Sequence, residues 1–264
     1  MRGFLHNMPE DIVGLIPAAG LGSRLAPLPC SKELFPVGFA PHPEHGEPHP
    51  KPVSQYLLEH MQRAGAGQVY LILRKGKWDI PGYYGDGSQL GLQLAYLVMQ
   101  RPYGCPFSLD QAYTFVRRQR VVFGFPDILV EPKDAFAQLL QRQKATQADV
   151  VLGCFPVRFP HKWDMVALQD DGEVRAILHK PSEADLAYGW AIACWSPRFT
   201  EFMHQYLQQQ EEAVSSSGRE LSVGEVVQAA SQNGLLVQSV CFDKGTCLDT
   251  GTPEDLRKAV KNLS

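Results

Sequence analysis

Short, continuously apolar runs alternate along the chain with stretches in which apolar residues recur every three or four positions. "DIVGLIPAA" opens on β-branched residues and stays apolar, which predicts a buried strand. "VSQYLLEHMQRAG" places Val53, Leu57, Leu58 and Met61 at helical spacing, and Gly65 ends it. "QVYLILR", "LQLAYLVMQ" and "QRVVFGF" read as further strands, and "KDAFAQLLQRQKA" as a helix leading into the strand "ADVVLGCFPV". Strand and helix in alternation predict a parallel, doubly wound sheet, whose ligand site lies at the carboxyl ends of the strands.

The pattern changes in the second half. "MVALQDDGEVRAILHKP" predicts a hairpin turning at Asp171-Gly172, followed by the strand "YGWAIACWSP", two helical stretches and the strand "LLVQSVCF". This half is expected to form a mixed lobe packed on the same sheet. A last helix starts cleanly: Thr252 can cap it, Pro253 suits its first position, and Glu254 and Asp255 favour the positive end of its dipole. Two polar stretches, "PHPEHGEPHPKP" and "SSSGRE", read as loops.

Composition narrows the class. The chain has 264 residues, 44% of them hydrophobic and 20% charged, enough for a sizeable core and against wholesale disorder. The net charge of −3 gives no pull toward nucleic acid or an anionic membrane. The start, "MRGFLHNMPEDIVG", has no long apolar stretch and carries acids early, so neither a signal peptide nor a membrane helix is expected there. The six cysteines form no CxxC pair, so reduced thiols and a cytoplasmic location are expected.

The chemistry is concentrated in "IPAAGLGSRLAPLPCSKELFPVG". Glycine orders at high entropic cost, so its clustering after a strand points to a backbone that turns sharply or approaches a ligand. Successive amides in such a turn make a concavity for an anion. Arg24 and Lys32 follow with positive charge suited to phosphate oxygens. The run is not a P-loop, for lack of Gly-Lys-Ser/Thr, nor the dinucleotide fingerprint, because Leu25 stands where its third glycine belongs. A triphosphate is the partner expected for so many donors.

"GLGSRLAPLPCSKELFPV" resembles the signature loop of the sugar-1-phosphate nucleotidyltransferases, also called nucleoside-diphosphate-sugar pyrophosphorylases. "YYGDGSQLGLQLAYLVMQRPYG", "HKP", "SGRELSVGEVV" and "CLDTGTPEDLRKA" resemble further segments of the glucose-1-phosphate thymidylyltransferase and uridylyltransferase branch. The similarity runs from about Asp11 to Val260. It implies a single domain over 1–264. That domain is α/β: a Rossmann-like, mixed and mostly parallel central sheet flanked by helices, with an inserted smaller β-rich sugar-binding lobe. Residues 11–155 would form the nucleotide-binding half and 156–264 the sugar-phosphate half.

The resemblance implies a Mg²⁺-dependent transfer of a nucleoside monophosphate from a nucleoside triphosphate, dTTP or UTP, to a sugar 1-phosphate, with release of pyrophosphate. It allows a homo-oligomer. Ala18, Ala19, Gly20, Leu21, Gly22, Ser23 and Arg24 would wrap the triphosphate, and Lys32 would reach it. Gln100 matches a base-reading glutamine, whose amide supplies both donor and acceptor. Ser108 occupies the position of a base-side glycine. Lys180 matches the lysine that holds the sugar phosphate, Glu220 a carboxylate that accepts sugar hydroxyls, and Gly189 a glycine set against the sugar. Asp127 and Asp249 match the two metal aspartates.

Three departures bear on the site. Asp127 comes two residues later than the family's Gly-Asp, behind Phe125 and Pro126, and needs a local bulge to reach a metal. His179 stands where the family has Glu before Lys-Pro, which removes an acceptor for a sugar hydroxyl, though the resemblance still counts His179 with Lys180, Gly189 and Glu220 among the sugar-phosphate residues. An insertion of about ten residues, "APHPEHGEPHP", borders the site; its His42, His45 and His49, with Glu44 and Glu47, read as solvated groups rather than a metal centre. Transfer to another phosphorylated acceptor, or nucleotide binding without turnover, stays open at this point.

Overall fold

The computed structural model describes residues 12–41, 45–99 and 103–263. The chain enters through strand β1 (Ile12–Pro17), passes the glycine-rich loop and a 3₁₀ turn at Lys32–Leu34, and forms a ribbon of β2 (Pro36–Pro41) and β3 (Pro48–Pro52). Helix α1 (Val53–Arg63), β4 (Gln68–Arg74), α2 (Asp79–Tyr84) and β5 (Gln93–Met99) follow. After α3 (Cys105–Asp110) and α4 (Tyr113–Val116) come β6 (Arg120–Gly124), β7 (Ile128–Glu131), α5 (Ala135–Thr146) and β8 (Val150–Pro156). The second half supplies β9 (Met165–Leu168), β10 (Val174–Leu178), β11 (Tyr188–Trp195), α6 (Pro197–Ser217), α7 (Val223–Gln232), β12 (Val237–Cys241), β13 (Thr246–Asp249) and α8 (Pro253–Leu263).

Nine strands make one sheet. Strands β5, β4, β1 and β6 are parallel neighbours. Strand β11 joins β6 antiparallel and carries β8 on its other edge, and β12 lies parallel to β8. The expected hairpin is present as β9 and β10, turning at Gly172, and it joins the sheet where Met165 pairs with Gly189 of β11. Both halves of the chain therefore build the same sheet.

Side chains alternate across it with a period of two. Val13 and Leu15 of β1, with Tyr70 and Ile72 of β4, face a core closed by Phe199, Met203 and Leu207 of α6 and Val226 and Val227 of α7. Ile16, with Val69, Leu71 and Leu73, faces the opposite core against Leu57, Leu58 and Met61 of α1 and Phe136 and Leu139 of α5. Each such buried side chain contributes roughly 1.5–3 kcal/mol of transfer free energy. Gly14 lets α1 come close: a Cβ there would lie 2.7 Å from the Met61 sulfur and 2.8 Å from Val69.

Two loop expectations are corrected. The two flanks of the proline-rich insertion pair as a ribbon, with Phe39 opposite Pro50 and Pro41 opposite Pro48. Prolines 48, 50 and 52 alternate, so the missing N–H groups fall on alternate positions, which an edge ribbon tolerates. The serine run at 215–217 is the end of α6, stopped by Gly218 at φ +66°. A small third core, with Val37, Val53 and Ala259 at its centre, seats the ribbon and α8.

Candidate active site

The loop after β1 is left open by its own hydrogen bonding. Ala18 is fully buried and its N–H donates to the Ile72 carbonyl at 2.8 Å, so it continues the sheet rather than facing a ligand. Leu25 N–H donates to Gly22 and Ala26 N–H to Ser23, folding the loop on itself. Among the described residues, no protein acceptor takes the amides of residues 19–24. Gly22, at φ +66°, lies over the aliphatic stem of Lys32, and the Lys32 ammonium sits 3.8 Å from where a Gly20 Cβ would be. Leu21 and Ser23 are exposed.

Asp127 reaches this loop because residues 125–128 form a turn, closed by the Ile128 N–H on the Phe125 carbonyl at 3.2 Å. The Asp127 carbonyl accepts from both the N–H and the hydroxyl of Thr250, at 2.8 and 2.9 Å. Asp249, paired with Ile128 across the β7–β13 ribbon, is thereby brought alongside. Lys32 donates to Asp127 at 2.5 Å. Burial alone would lower the Lys32 pKa, but Asp127, Glu33 and Asp249 outweigh it and raise it above the ordinary lysine value. Asp249 is pushed up, first by burial and then by Asp127, against the Gly251 amide, Arg24 and Lys32.

Gly251, to which sequence reading gave no role, is required by this crowding. Its N–H donates to Asp249 at 2.7 Å, and a Cβ there would stand 2.8 Å from both the Arg24 guanidinium and the Asp249 carboxylate. Arg24 and Asp249 therefore share one cleft. Behind Lys32, Glu33 is 1% exposed and accepts from Lys77 at 2.6 and 2.7 Å, a buried pair that fixes the segment against the loop after β4.

The cleft has a volume of about 420 Å³. Ala19, Gly20, Arg24, Lys32, Asp127 and Asp249 line one end of it. Lys180, His179, Glu220 and Ser108 line the remainder, together with Asp164, Trp163 and Trp190, which sequence reading missed. Lys180 sits at the end of the hairpin with φ +39°, an uncommon backbone for a side-chain-bearing residue. His179 Nδ1 lies 2.7 Å from Asp164. Gly189 is buried and faces Trp163, whose Cβ would be 2.9 Å from a Gly189 Cβ, so Trp163 presents the wall there. Among the described residues, the buried Trp190 indole N–H has no hydrogen-bond partner. Ser108 is 5% exposed and donates to the Met99 sulfur at 2.8 Å. Gln100, His42 and Glu44 lie outside the described residues.

Among the described residues, no group of three or more His, Cys, Asp or Glu side chains could hold a metal ion, and no helix is long and apolar enough to cross a membrane.

Residues 13–264 match the nucleotidyl transferase family. The chain is 28% identical, over 94% of its length and 76% of the relative's, to a glucose-1-phosphate thymidylyltransferase of an Actinoplanes species. It is 26% identical to the low-salt glycan biosynthesis nucleotidyltransferase Agl11 of Haloferax volcanii, covering 93% of this chain but only 64% of that relative. A crystal structure of a Bacillus anthracis protein in complex with a sucrose superposes with a TM-score of 0.81 at 20% identity, covering 96% of this chain and 95% of that one, and shares the fold. With the signature loop, its two cations and the two aspartates gathered in one cleft, the chain belongs to the nucleotidyl transferase family.

Proposed function

We propose that the protein transfers a nucleoside monophosphate from dTTP or UTP to a sugar 1-phosphate and releases pyrophosphate. The observation that carries this reading is the convergence of the unpaired amides of residues 19–24 with Arg24, Lys32, Asp127 and Asp249 at one end of a cleft whose other end holds Lys180 and Glu220. In the reaction, an oxygen of the sugar phosphate forms a bond to the α-phosphorus, and the bond from that phosphorus to the bridging oxygen of the β-phosphate breaks. Little covalent work falls to the protein, so position and charge carry the rate. The loop amides and Arg24 hold the triphosphate and neutralise the charge that grows on pyrophosphate. Lys180 holds the acceptor's phosphate, and Glu220 accepts hydroxyl groups of its ring.

Asp127 and Asp249 fit Mg²⁺. They repel each other closely enough for Asp127 to help raise the Asp249 pKa, and two carboxylates suffice where phosphate oxygens and water complete the ion's shell. When bound, the ion supplies further positive charge to the phosphates. Lys32, already on Asp127 at 2.5 Å, holds that carboxylate in place at the cleft.

The test is pyrophosphate release from a panel of nucleoside triphosphates and sugar 1-phosphates, with and without Mg²⁺. Turnover with dTTP or UTP that stops on chelation is the expected result. Tight nucleotide binding with no pyrophosphate from any pair would overturn the proposal.

A further inference from the structure

A second cavity borders the glycine-rich loop. It is open, has a volume of about 650 Å³, and shares Gly20 and Lys32 with the cleft, so the loop stands as a partition between the two. We propose that this cavity is a second oxyanion seat, in which Arg74 and Lys75 hold pyrophosphate once it has left the cleft. The identity of the anion rests on the nucleotidyltransferase reading; the seat rests on the cavity itself.

Charge points to the ligand. Lys32, Arg74, Lys75 and Lys77 line the cavity, against Asp79 as its one carboxylate among the described residues. Lys32 and Lys77 already have partners, Asp127 at 2.5 Å and Glu33 at 2.6 and 2.7 Å. Both Asp79 oxygens are engaged as well. Its Oδ2 accepts the Ser31 N–H at 2.6 Å, and its Oδ1 accepts the Ser31 hydroxyl at 2.7 Å and the Ile80 N–H at 3.1 Å. Arg74 and Lys75 remain, and among the described residues neither has a carboxylate partner. Two uncompensated cations, adjacent in sequence and in one concave surface, call for a ligand with more than one negative charge.

The frame beneath them is fixed. Arg74 is the last residue of β4 and pairs in register with Met99 of β5. Residues 74–77 then turn, with the Lys77 N–H donating to the Arg74 carbonyl at 3.3 Å. Gly76 takes φ +99° in that turn, and nothing among the described residues lies within 4 Å of where its Cβ would be, so the space beside the turn is free. The buried Lys77–Glu33 pair fastens the end of the turn to the segment that follows the glycine-rich loop. Asp79, at the start of α2, ties Ser31 of that segment to the same wall.

The reaction supplies the anion. When the bond between the α-phosphorus and the bridging oxygen breaks, the leaving group is pyrophosphate, a compact ion with several negative charges. A seat across the loop draws it away from the α-phosphorus without a passage through the acceptor's end of the cleft. The guanidinium offers paired N–H groups to the oxygens of one phosphoryl group, and the ammonium offers a point charge to the other. Free phosphate presents the same oxygens on a single phosphorus and engages the two cations less fully.

Calorimetric titration of the whole protein with pyrophosphate, and separately with phosphate, counts the sites without any turnover. Wild type is expected to bind two equivalents of pyrophosphate. Arg24→Ala should lose the one in the cleft and keep the other. Arg74→Gln combined with Lys75→Gln should do the reverse, weakening the second equivalent about a hundredfold, the scale of two charge-assisted contacts at about tenfold each. Arg74→Lys, which keeps the charge, should fall between wild type and that double variant. Arg117→Gln combined with Arg118→Gln removes the same charge from another exposed face and should change nothing. A single equivalent in wild type, survival of both in the double variant at 74 and 75, or an equal loss in the control at 117 and 118 would each overturn the seat. Phosphate bound as tightly as pyrophosphate would overturn the assignment to the product. Two equivalents in a protein that turns over no substrate pair would instead overturn the nucleotidyltransferase reading, while the oxyanion seat stands.

Discussion

At the end of the cleft proposed for the phosphates, charges already meet within the protein: Lys32 on Asp127 at 2.5 Å, Asp249 on the Gly251 amide at 2.7 Å, and Glu33 with Lys77 buried behind them. At the sugar end, Lys180 and Glu220 are exposed and His179 shows an open ring edge. The difference follows from what each end must do. In the proposed reaction a triphosphate carries most of the charge, so the groups proposed to receive it need fixed positions and compensated charge beforehand, because reorganisation during the chemical step would add to the barrier. The end proposed for the sugar would have to discriminate among rings that differ by one hydroxyl. That task needs single hydrogen bonds on a surface that can be altered without disturbing the phosphates.

Removing Lys77 should break this contrast most severely. Lys77→Ala leaves Glu33 nearly fully buried and without its cation, which costs about 3–5 kcal/mol of stability. Urea unfolding checks it; a midpoint close to wild type would mean that the pair does not support the cradle. The double replacement Glu33→Gln with Lys77→Met should recover much of the loss, since no unpaired charge remains. Next in size, Arg24→Ala and Asp249→Ala should each lower kcat by at least about a hundredfold, the scale of losing one preorganised charge contact, with KM for the sugar phosphate little changed. Near-normal rates in both variants would remove the phosphate roles assigned to them.

The phosphate end was also the more legible in the sequence, for a physical reason. Gly20, Gly22, Arg24 and Lys32 lie in one short run, so local backbone rules and charge suffice to read them. Continuous apolar runs and helical spacing likewise marked the strands of the sheet and its major helices, because a strand buried on both faces is apolar throughout while a helix buries one stripe. Asp127 was harder. Its delivery depends on the turn at 125–128 and on two hydrogen bonds from Thr250, 123 residues away. Asp164 was invisible, since an acid beside a tryptophan before a hairpin strand has no pattern of its own. Its meaning comes from His179, fifteen residues later, and from the space left at Gly224. The ribbon was missed because proline counts against a strand when residues are read singly, whereas prolines on alternate positions spare the pairing.

At the sugar end the effects should be smaller and of another kind. Lys180→Ala is expected to raise KM for the sugar phosphate about tenfold, with KM for the nucleoside triphosphate unchanged, because an exposed lysine offers one screened charge to one phosphate. Initial rates with each substrate varied in turn give both constants. A rise in the nucleotide KM of the same size would mean that Lys180 serves both ends.

The smallest effect should come from the start of α7. Ser222 Oγ accepts the Glu225 N–H at 3.2 Å, and Glu225 accepts the Ser222 N–H at 2.8 Å, a capping box that closes the helix end against which Asp164 lies. Ser222→Ala removes one of these bonds and should cost about 1 kcal/mol of stability. The helix would fray by its first turn, where Gly224 sits, so the aspartate beside it loses part of its seat. The consequence should reach the acceptor and stop there: a rise of a few-fold in KM for the sugar phosphate, with the nucleotide KM and the Mg²⁺ requirement as in wild type. Urea unfolding combined with two-substrate kinetics separates the two readouts. If the nucleotide KM rose in step, the ends of the cleft would be mechanically coupled through α7, and the division of labour between a fixed phosphate cradle and an adjustable sugar wall would be wrong.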